Sequence, residues 1–590
     1  MKVSTTTRLL LVLSVLALLL AACTPAPSQG GATNPPPTTQ SGGSTTAQPS
    51  APVPDAGDES NFYPPGQYPI VKEQETLSVF TYLLGTKMDH ETNWMTKFYE
   101  EMTNVAVRWV VAPTEQFMDK LNLSLAGGDP LDVIICGGNS TTAVSMPVLL
   151  KYANQGMILP LEDLIENHSI YFKERLDEYP GWREAITTPE GHIYSFPSLN
   201  ECYHCMYYGK MWINQEFLKN VGLDIPTTTD EFYEMLVAFR DQDANGNGDP
   251  TDEIPMIGAT DSFGAKIDTY LMSAFIYDDG ENRLFLRDGT VTAAFAQPEF
   301  QEGLRYLNML FDEGLIYKES FTQNRTTRNQ INSQKYESLA GAMPNIHHGI
   351  GNRGEGEPQR WLEYIPIEPL VGPDGLQITR YDYYAKFQTI LTSGMMPSTC
   401  KNPELVIRWL DWFMSEEGTM TLLYGPEGIG REMAEEGSKG VDGSPAVYKR
   451  IVMEEEDEYS GNLTWGQQFP NYHTTDMKNG LQQPDDMLAE DGSGLESFLY
   501  KYSKEHYEPY GIALEDLIPP LFYSEAAINE QSMLTTNINT YVEEAIARFI
   551  IGDLDVDSDW DSYLKELNVL GLDRYLQIVQ ETYDASAFSK

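Results

Sequence analysis

Three apolar segments separated by two helical patterns constrain the fold of this chain more than any other feature of its sequence. Glu75–Phe80, Val105–Val111 and Asp132–Cys136 are typical of buried strands. Asn93–Thr103 and Glu115–Leu125 lie between them and show the apolar spacing of helices. Strands that alternate with helices predict a parallel sheet with helices on both faces, so the expected fold class is α/β.

Polar residues follow the third of these strands. In open α/β sheets, ligands bind beyond the carboxyl ends of the strands. Gly138, Asn139 and Ser140 lie at such an end, and Trp94 lies at the start of the first helix, on the same edge. Gly137 and Gly138 are explained as well by an ordinary turn. Asn139 and Trp94 are therefore candidate ligand contacts.

The stretch Asp241–Glu253 reads DQDANGNGDPTDE and has an oxygen-bearing side chain at every second position as far as Asp249. Gly246 and Gly248 permit the positive φ of a tight coil. Such a loop can turn several oxygens toward one hard cation, and Ca²⁺ is bound by six to eight oxygens. A solvated turn between two elements is the competing interpretation. The predicted ligands of a structural calcium site are Asp243, Asn245, Asn247, Asp249, Asp252 and Glu253.

Two registers of this loop are open. The EF-hand pattern D-x-[DN]-x-[DN]-G fits from Asp241, but its twelfth position is then Asp252 and not the Glu of the motif. The register from Asp243 is closed by Asp252 or Glu253. In both registers the ion would stabilise a connection inside a domain and take no part in chemistry.

Length and charge limit the possible functions. The chain has 590 residues, which predicts more than one domain. Its 39 Lys and Arg residues stand against 87 Asp and Glu residues, which gives a net charge of −48. This balance argues against a nucleic acid partner, which needs a basic surface, and it disfavours anionic substrates.

The first 22 residues have the pattern of a signal peptide. Lys2 and Arg8 precede the apolar run Leu9–Leu20, which is short for a transmembrane helix. Leu20-Ala21-Ala22-Cys23 is typical of a bacterial lipoprotein signal, in which the Cys23 thiol receives a diacylglyceryl group with acyl chains such as palmitate. An ordinary cleaved signal peptide is the alternative.

Residues 23–68 are predicted to form the lipidated cysteine and a disordered tether. The segment is rich in Pro, Thr, Ser, Gly, Gln and Ala and has too few apolar residues to order itself. A flexible chain of this length spans about 35–40 Å. Because each buried CH₂ contributes about 0.8 kcal/mol, two or three acyl chains would hold the protein at the extracellular face of the cell membrane.

Cys202-Tyr203-His204-Cys205 has the C-x-x-C spacing. A redox or zinc site would need a helix N-terminus or a second ligand pair, and the sequence shows neither. Buried thiols or one local disulfide are therefore expected.

Several short motifs follow one another in a fixed order along the chain. They are Gly191–Pro197, Asn214–Leu218, Val221–Thr228, Asn245–Gly248, Asp252–Pro255, Asn402–Glu404, Ser415–Gly418, Pro426–Gly428, Phe549–Gly552 and Trp560–Tyr563. This order resembles that of the extracellular solute-binding proteins of bacterial ABC importers, in their sugar-binding lipoprotein branch. The resemblance extends from Glu75 to Tyr583.

The resemblance implies a two-lobed, type II periplasmic-binding-protein-like fold whose discontinuous lobes are joined by hinge strands. Residues 69–200 and 366–420 would form lobe 1, and residues 201–365 and 421–590 would form lobe 2. Tyr194–Tyr208 would be the first crossing between them. The lobes of such a protein close on a ligand by a hinge motion.

The resemblance also bears on the acidic loop. In the family this loop is similar to a calcium site whose first ligand precedes an N-G-N, which favours the register from Asp243. One extra residue before Asp252 and Glu253 leaves open which of the two closes the loop.

The resulting hypothesis is capture of a carbohydrate, an oligosaccharide above all, in the cleft between the lobes. A monomeric protein would deliver it unchanged to the permease subunits of an ABC transporter. Aromatic faces suit the apolar side of a sugar ring, and polar oxygens suit its hydroxyl rim. The candidate ligand-binding residues are Trp94, Asn139, Tyr207, Tyr208 and Asn345.

Two other functions compete with this hypothesis. A surface glycosidase would use paired carboxylates, but the sequence has no G-x-S-x-G, no H-E-x-x-H and no phosphate-binding loop, and no enzymatic activity is expected. A receptor for peptides or metal chelates could use the same fold, because function depends on the residues of the cleft.

Overall fold

The computed structural model describes residues 60–83, 88–137, 142–188, 190–260, 264–333, 338–347, 350, 359–382, 390–453, 457–586 and 589. The predicted signal peptide, Cys23 and the tether as far as residue 59 lie outside these residues, and so does Asn139. No helix in these ranges combines the length and apolarity needed to cross a bilayer.

The strands form two main sheets and two short hairpins. In chain order they are β1 (Glu75–Tyr82), β2 (Val105–Ala112), β3 (Val133–Ile135), β4 (Ser195–Asn200), β5 (Met211–Asn214), β6 (Ile254–Met256), β7 (Leu284–Arg287), β8 (Thr290–Ala293), β9 (Ala340–Pro344), β10 (Tyr364–Ile367), β11 (Ile390–Met395), β12 (Arg431–Met433), β13 (Tyr448–Arg450) and β14 (Asn471–His473).

Helices cover the faces of both sheets. In chain order they are α1 (Trp94–Thr103), α2 (Phe117–Gly127), α3 (Met146–Asn154), α4 (Glu162–His168), α5 (Tyr171–Glu178), α6 (Pro180–Ile186), α7 (Gln215–Val221), α8 (Thr229–Asp241), α9 (Ile267–Met272), α10 (Pro298–Asp312), α11 (Arg325–Ser333), α12 (Pro403–Asp411), α13 (Glu416–Tyr424), α14 (Thr475–Asn479), α15 (Leu495–His506), α16 (Glu525–Ile550), α17 (Trp560–Leu570) and α18 (Leu572–Ala585).

The first sheet has the strand order β14-β4-β11-β3-β1-β2. β1 pairs in parallel with β2 and with β3, which confirms the prediction from the alternating strands and helices. β11 runs antiparallel between β3 and β4, and β14 is parallel to β4. The sheet is therefore mixed, with one reversed strand near its centre.

Both faces of the first sheet are buried, as expected for parallel strands between helices. Leu77 and Val79 of β1 belong to one core, together with residues of α1 and α12. Phe80 and Tyr82 of the same strand point to the opposite face and pack with residues of α2 and α3. The period-two alternation of a strand thus distributes one apolar segment over two cores.

The second sheet has the order β10-β5-β9-β6. β5 is antiparallel to both of its neighbours, and β6 is parallel to β9. Met211 and Ile213 face a large core with α8, α10 and α16, whereas Trp212 faces a smaller core that includes α15.

Three stretches of the described chain lead from the elements of one sheet to those of the other. They are residues 201–210 between β4 and β5, residues 368–382 of the connection between β10 and β11, and residues 474–494 between β14 and α15. We call each main sheet with the helices that pack on it a body of the fold. Each body is therefore discontinuous in sequence.

Two predicted elements differ from the structure. The apolar spacing of Asn402–Tyr424 predicts one helix, but the structure divides this segment into α12 and α13, because the Ser415 hydroxyl caps the N–H of Gly418 and begins a new helix. The aromatic, apolar segment Met206–Asn214 has a sequence typical of a strand, but it is a strand only over β5, because a 3-10 turn occupies Tyr203–Met206.

Parts of both predicted lobes belong to the other sheet. β14 belongs by sequence to the stretch 421–590 predicted for lobe 2, but it hydrogen-bonds to β4 of the first sheet. Trp465, Phe469 and Tyr472 pack in the core of that sheet. Ile367 falls in the stretch predicted for lobe 1, but it pairs with β5 of the second sheet.

Candidate ligand cleft and metal loop

The carboxyl ends of the parallel strands of the two sheets border one gap. In the first sheet the last residues of β4 and β14, Asn200 and His473, pair with each other. In the second sheet Met211 begins β5 opposite Pro344 and Ile367, the last residues of β9 and β10. Glu201 and His473 at the end of the first sheet line one cavity together with Glu496 of α15, which packs on the second sheet, so the two edges are neighbours. This is the edge at which open α/β sheets bind ligands.

A cavity of about 920 Å³ opens at this gap. Its walls come from both bodies, because Tyr424 ends a helix of the first core and Glu496 belongs to α15 on the second sheet. Arg450, the last residue of β13, completes the wall. We call this space the main cavity.

A second space of about 270 Å³, the crossing cavity, shares Tyr424, Arg450 and Glu496 with the main cavity. It reaches the crossing 201–210 through Tyr203, and Lys478 of α14 lines it as well. The two spaces therefore form one continuous groove from the crossing outward.

Tyrosine rings and charges of both signs line the groove. The rings of Tyr203 and Tyr500 lie 4.7 Å apart, and the Arg450 guanidinium lies 5.4 Å above the centre of the Tyr424 ring. Arg450 is exposed, and it can donate several hydrogen bonds to a ligand that enters. Tyrosine faces beside polar groups are suited to solutes that combine apolar faces with hydroxyl groups.

Two charged residues of the groove titrate abnormally. Loss of solvation among the surrounding protein groups raises the pKa of Glu496, although 54% of its side chain remains exposed. Burial lowers the pKa of Lys478 to about 8. Burial also lowers the pKa of His473, whose Nε2 lies 3.2 Å from the Tyr424 hydroxyl. Because acids and bases face each other here, the groove favours a neutral solute over an ion.

A separate cavity of about 330 Å³ lies beside the second crossing. Arg380 forms part of its wall, is 6% exposed and lies 3.3 Å from Glu281. Tyr277 and Asp279 line the same cavity. The Arg380 guanidinium also covers the ring of Tyr208 at 4.4 Å, so Tyr208 packs against a cation.

The predicted ligand-binding residues occupy different environments. Trp94 lies in the first turn of α1, where its ring stacks on Phe98 at 4.8 Å and packs on the first core. Tyr207 is 4% exposed and stacks on Tyr381 at 5.4 Å. Tyr208 is half-buried. These residues line neither the main nor the crossing cavity.

Asn345 is fully buried at the end of β9. Its side-chain amide donates to the carbonyl of His347, and its side-chain oxygen accepts from Arg328. Gly264 has φ +65° and packs between this segment and Tyr208, where a Cβ would lie 2.6 Å from the Tyr208 carbonyl oxygen. The structure thus brings Tyr208 and Asn345 together, apart from Trp94.

The residues that line the groove were not found by sequence reasoning. Tyr424, Arg450, Lys478 and Glu496 lie on four different elements, and none stands in a local pattern. The nearest sequence signal was the pair of motifs Ser415–Gly418 and Pro426–Gly428, which enclose the helix that ends at Tyr424.

The acidic loop connects α8 to β6. Asp243 Oδ2 accepts the backbone N–H of Gly248, and Asn245 Oδ1 accepts that of Asn247. The side-chain amides of both asparagines donate to Asp252, at 2.9 Å from Asn245 and 3.1 Å from Asn247. The backbone N–H of Asp249 donates to Asn247 Oδ1, and that of Asn245 donates to Glu253 Oε1. The six predicted ligand residues thus form one compact, mutually bonded turn.

Two buried carboxylate oxygens in this loop have no hydrogen-bond partner, namely Asp243 Oδ1 and Glu253 Oε2. Burial and the neighbouring Asp252 raise the pKa of Glu253. An unpaired buried oxygen on an acid is costly, and a hard cation such as Ca²⁺ satisfies it. The residues therefore fit a calcium ion.

The surroundings of Asp241 distinguish the two registers of the loop. Both of its carboxylate oxygens accept from Arg240, at 2.7 and 3.0 Å. A glycine with positive φ occupies the sixth position of both registers, namely Gly246 at +74° and Gly248 at +90°, so this position fits either one. Because Asp241 is already paired with Arg240, the geometry favours the register from Asp243.

Cys202 and Cys205 form a disulfide within the first crossing, which is one of the two alternatives that the sequence left open. Cys136 is buried and Cys400 is half-buried, and both are free thiols.

The chain is similar in sequence and in structure to proteins of known function. The fructooligosaccharide ABC transporter substrate-binding protein FusA of Streptococcus pneumoniae is 27% identical over 503 residues, which cover 82% of this chain and 85% of FusA. Its structure with kestose superposes with a TM-score of 0.72 at 25% identity, over 87% of this chain and all of that one.

A second structure, an EF-hand mutant of FusA in complex with fructo-nystose, superposes with a TM-score of 0.71 at 25% identity and the same coverage. The fold of this chain is that of the type II solute-binding proteins. Residues 86–420 match the family described as bacterial extracellular solute-binding protein. The chain belongs to the bacterial extracellular solute-binding proteins.

Proposed function

We propose that this protein captures a neutral oligosaccharide in the groove between its two lobes and delivers it unchanged to the permease of an ABC importer. The observation that carries the proposal is the main cavity, whose walls come from both bodies of the fold. A ligand that touches both walls stabilises the closed arrangement only if it binds that arrangement better.

The size and lining of the groove support an oligosaccharide. The main cavity of about 920 Å³ falls at the upper end of small-molecule sites, which span roughly 300–1,000 Å³. Tyr203, Tyr424 and Tyr500 offer ring faces to sugar rings, while Arg450 and Glu496 can bond hydroxyl groups. Tyr208 with Arg380, and the predicted contacts Trp94 and Asn139, belong to this proposal as further contacts along the cleft.

The lobes and the anchor complete the proposal. We assign residues 69–200 and 366–420 chiefly to lobe 1, and residues 201–365 and 421–590 chiefly to lobe 2, with β14 added to the first sheet. Cys23 receives the lipid after removal of residues 1–22, and the first part of the stretch 23–68 tethers a monomer to the extracellular face of the membrane. The end of that stretch belongs to the folded protein, because Phe62 and Tyr68 pack on the first core.

The acidic loop is assigned a structural Ca²⁺ ion. Its ligands would come from Asp243, Asn245, Asn247, Asp249 and the Asp252–Glu253 pair. Glu253 has the buried, unpartnered oxygen, which favours Glu253 over Asp252 as the residue that closes the loop. The ion supplies rigidity between α8 and β6 and no chemistry.

Calorimetry and thermal unfolding with a ligand panel test the function. Neutral oligosaccharides of fructose and of glucose, short peptides and metal chelates are titrated into the purified protein. We expect an oligosaccharide alone to raise the melting temperature, since a ligand at 100 times its Kd adds about 2.7 kcal/mol. Chromatography of the bound sugar should show it intact. A shift with peptides or chelates only, or cleavage of the sugar, would refute the proposal.

A further inference from the structure

The turn at the first crossing holds a compact set of soft metal ligands. Cys202, His204 and Cys205 are each more than 90% buried, and their ligating atoms lie within 4.8 Å of one another. The Nε2 of His204 is 3.8 Å from Cys205 Sγ. Three ligands of the two types that transition metals favour, sulfur and imidazole nitrogen, therefore converge in one 3-10 turn.

A fourth ligand comes from a distant part of the chain. Glu496 Oε2 of α15 lies 3.7 Å from His204 Nε2. Zn²⁺ binds sulfur at about 2.3 Å and nitrogen or oxygen at about 2.0 Å, so the edges of its ligand tetrahedron measure about 3.3–3.8 Å. The distances from His204 Nε2 to Cys205 Sγ, 3.8 Å, and to Glu496 Oε2, 3.7 Å, already lie within this range.

We propose that the reduced form of this turn binds one Zn²⁺ through Cys202, His204, Cys205 and Glu496. In the structure the two sulfurs are joined as a disulfide. A small dithiol reduces it: the S–S bond accepts two electrons and two protons, and the dithiol becomes a disulfide. Zn²⁺ then replaces the two thiol protons, which are released to water.

Access and support for the site are present in the fold. Cys202, His204 and Glu496 all line the crossing cavity, which provides an entry path for a reductant and for the ion. The buried Lys210 holds the turn, because its ammonium donates to the carbonyl of His204 at 2.8 Å and to that of Tyr207 at 2.5 Å.

The two metal loops of this protein differ in chemistry. The loop at Asp243–Glu253 offers oxygens and no sulfur, which suits Ca²⁺. The crossing turn offers two thiolates and an imidazole, which suit Zn²⁺ and Co²⁺. A thiolate signal therefore identifies the crossing site even when the acidic loop also takes up metal.

Zinc at the crossing would change ligand binding, and this part rests on the proposed function. Glu496 lines both cavities of the groove. Once it ligates Zn²⁺ it no longer bonds a sugar hydroxyl, so the reduced, zinc-loaded protein should bind its oligosaccharide about tenfold more weakly than the disulfide form.

Cobalt titration of the whole protein tests the site itself. The protein is reduced with a water-soluble phosphine, which becomes the phosphine oxide, and is titrated with Co²⁺ under argon. We expect one equivalent to develop the charge-transfer absorption of Co²⁺–thiolate bonds, and Zn²⁺ to abolish it. The unreduced protein should show no such band.

Matched variants decide which residues bind the ion. Cys202→Ser with Cys205→Ser should abolish the band, and His204→Gln or Glu496→Gln should weaken Co²⁺ binding at least tenfold. Cys400→Ser removes another thiol, and Glu505→Gln removes an exposed carboxylate of the same helix; both should leave the titration unchanged. Absence of the band in the reduced wild type, or its survival in the double Cys→Ser variant, would overturn the proposal.

The test separates this site from the proposed function. The cobalt band needs no sugar, so its absence refutes the site whatever the ligand is. Unchanged oligosaccharide affinity in a protein that shows the band would refute only the link through Glu496.

Discussion

The acidic loop and the groove are both candidate binding sites, but the chain builds them in opposite ways. The loop takes all its oxygens from the stretch Asp243–Glu253, so its pattern is visible in the sequence. The groove takes Tyr424, Arg450 and Glu496 from separate elements that meet only in the folded protein. A local site depends on its own residues, whereas an assembled site depends on the cores that bring its walls together.

The largest effect is expected from the removal of a core residue that supports the groove. Trp465 is fully buried, contacts the rings of Trp109, Trp409 and Phe469, and donates to the Thr96 hydroxyl at 2.9 Å. We expect Trp465→Ala to lower the free energy of unfolding by about 3–5 kcal/mol.

Chemical denaturation measures this change. Val452→Ala is the control, because Val452, like Trp465, lies in the segment between α13 and β14 but is 83% exposed. Its effect should stay within about 0.5 kcal/mol. Equal losses of unfolding free energy for the two substitutions would show that the segment between α13 and β14 does not depend on the first core.

The acidic loop provides the second test, with an effect of similar size. With Ca²⁺ at 1,000 times its Kd, the ion should add about 4 kcal/mol to the free energy of unfolding, and chelation or Asp243→Asn should remove this increment. Asp241→Asn is the control, since Asp241 pairs with Arg240 outside the loop. A calcium response lost in Asp241→Asn and kept in Asp243→Asn would reverse the register.

The third test addresses the groove directly. Arg450→Met keeps the length of the side chain but removes its hydrogen-bond donors, so we expect the Kd for the oligosaccharide to rise about tenfold, or about 1.4 kcal/mol. Arg305→Met is the control, because Arg305 lines neither cavity of the groove. Calorimetry with unchanged affinity for Arg450→Met would remove Arg450 from the site.

The last test concerns the pH dependence of the crossing. Burial lowers the pKa of Lys210 to about 7, below the ordinary value of about 10.4. Between these values the unfolded chain binds the proton and the folded protein does not, so Lys210 makes the free energy of unfolding rise with pH, by at most about 1.4 kcal/mol per pH unit. Below about pH 7 its unfavourable contribution is constant.

Comparison of wild type with Lys210→Met isolates this contribution. The difference between their unfolding free energies should change with pH from 7 to 10 and stay flat below pH 7. A difference that does not vary with pH over the upper range would mean that Lys210 is protonated in the folded protein.

The sequence predicted most where the structure is local. The first strands and helices follow their apolar patterns. Thr228 with Glu231 three residues later has the spacing of a capping box, and the Thr228 hydroxyl accepts the N–H of Glu231 at the start of α8. Prediction failed where tertiary contacts decide. The break between α12 and α13 depends on close packing, since a Cβ on Gly418 would lie 1.9 Å from the Trp412 carbonyl oxygen.

The candidate site shows the same division. The calcium ligands could be named because they recur at every second position of one loop. Glu496 could not, because its neighbour His204 is brought near by the packing of α15 against the crossing. Asn345 was named for its place after a strand, but it lies fully buried among hydrogen bonds.

The chain order of the first core has a consequence for biosynthesis. Tyr99 and Trp465 lie in the same aromatic cluster, with ring centres 6.0 Å apart, yet the ribosome makes β5 to β10 of the second sheet between them. The part of the first core around Tyr99 therefore stays incomplete until Trp465 has emerged from the ribosome. Newly made copies of this protein should need a holding chaperone for longer than a protein of equal size built from consecutive domains.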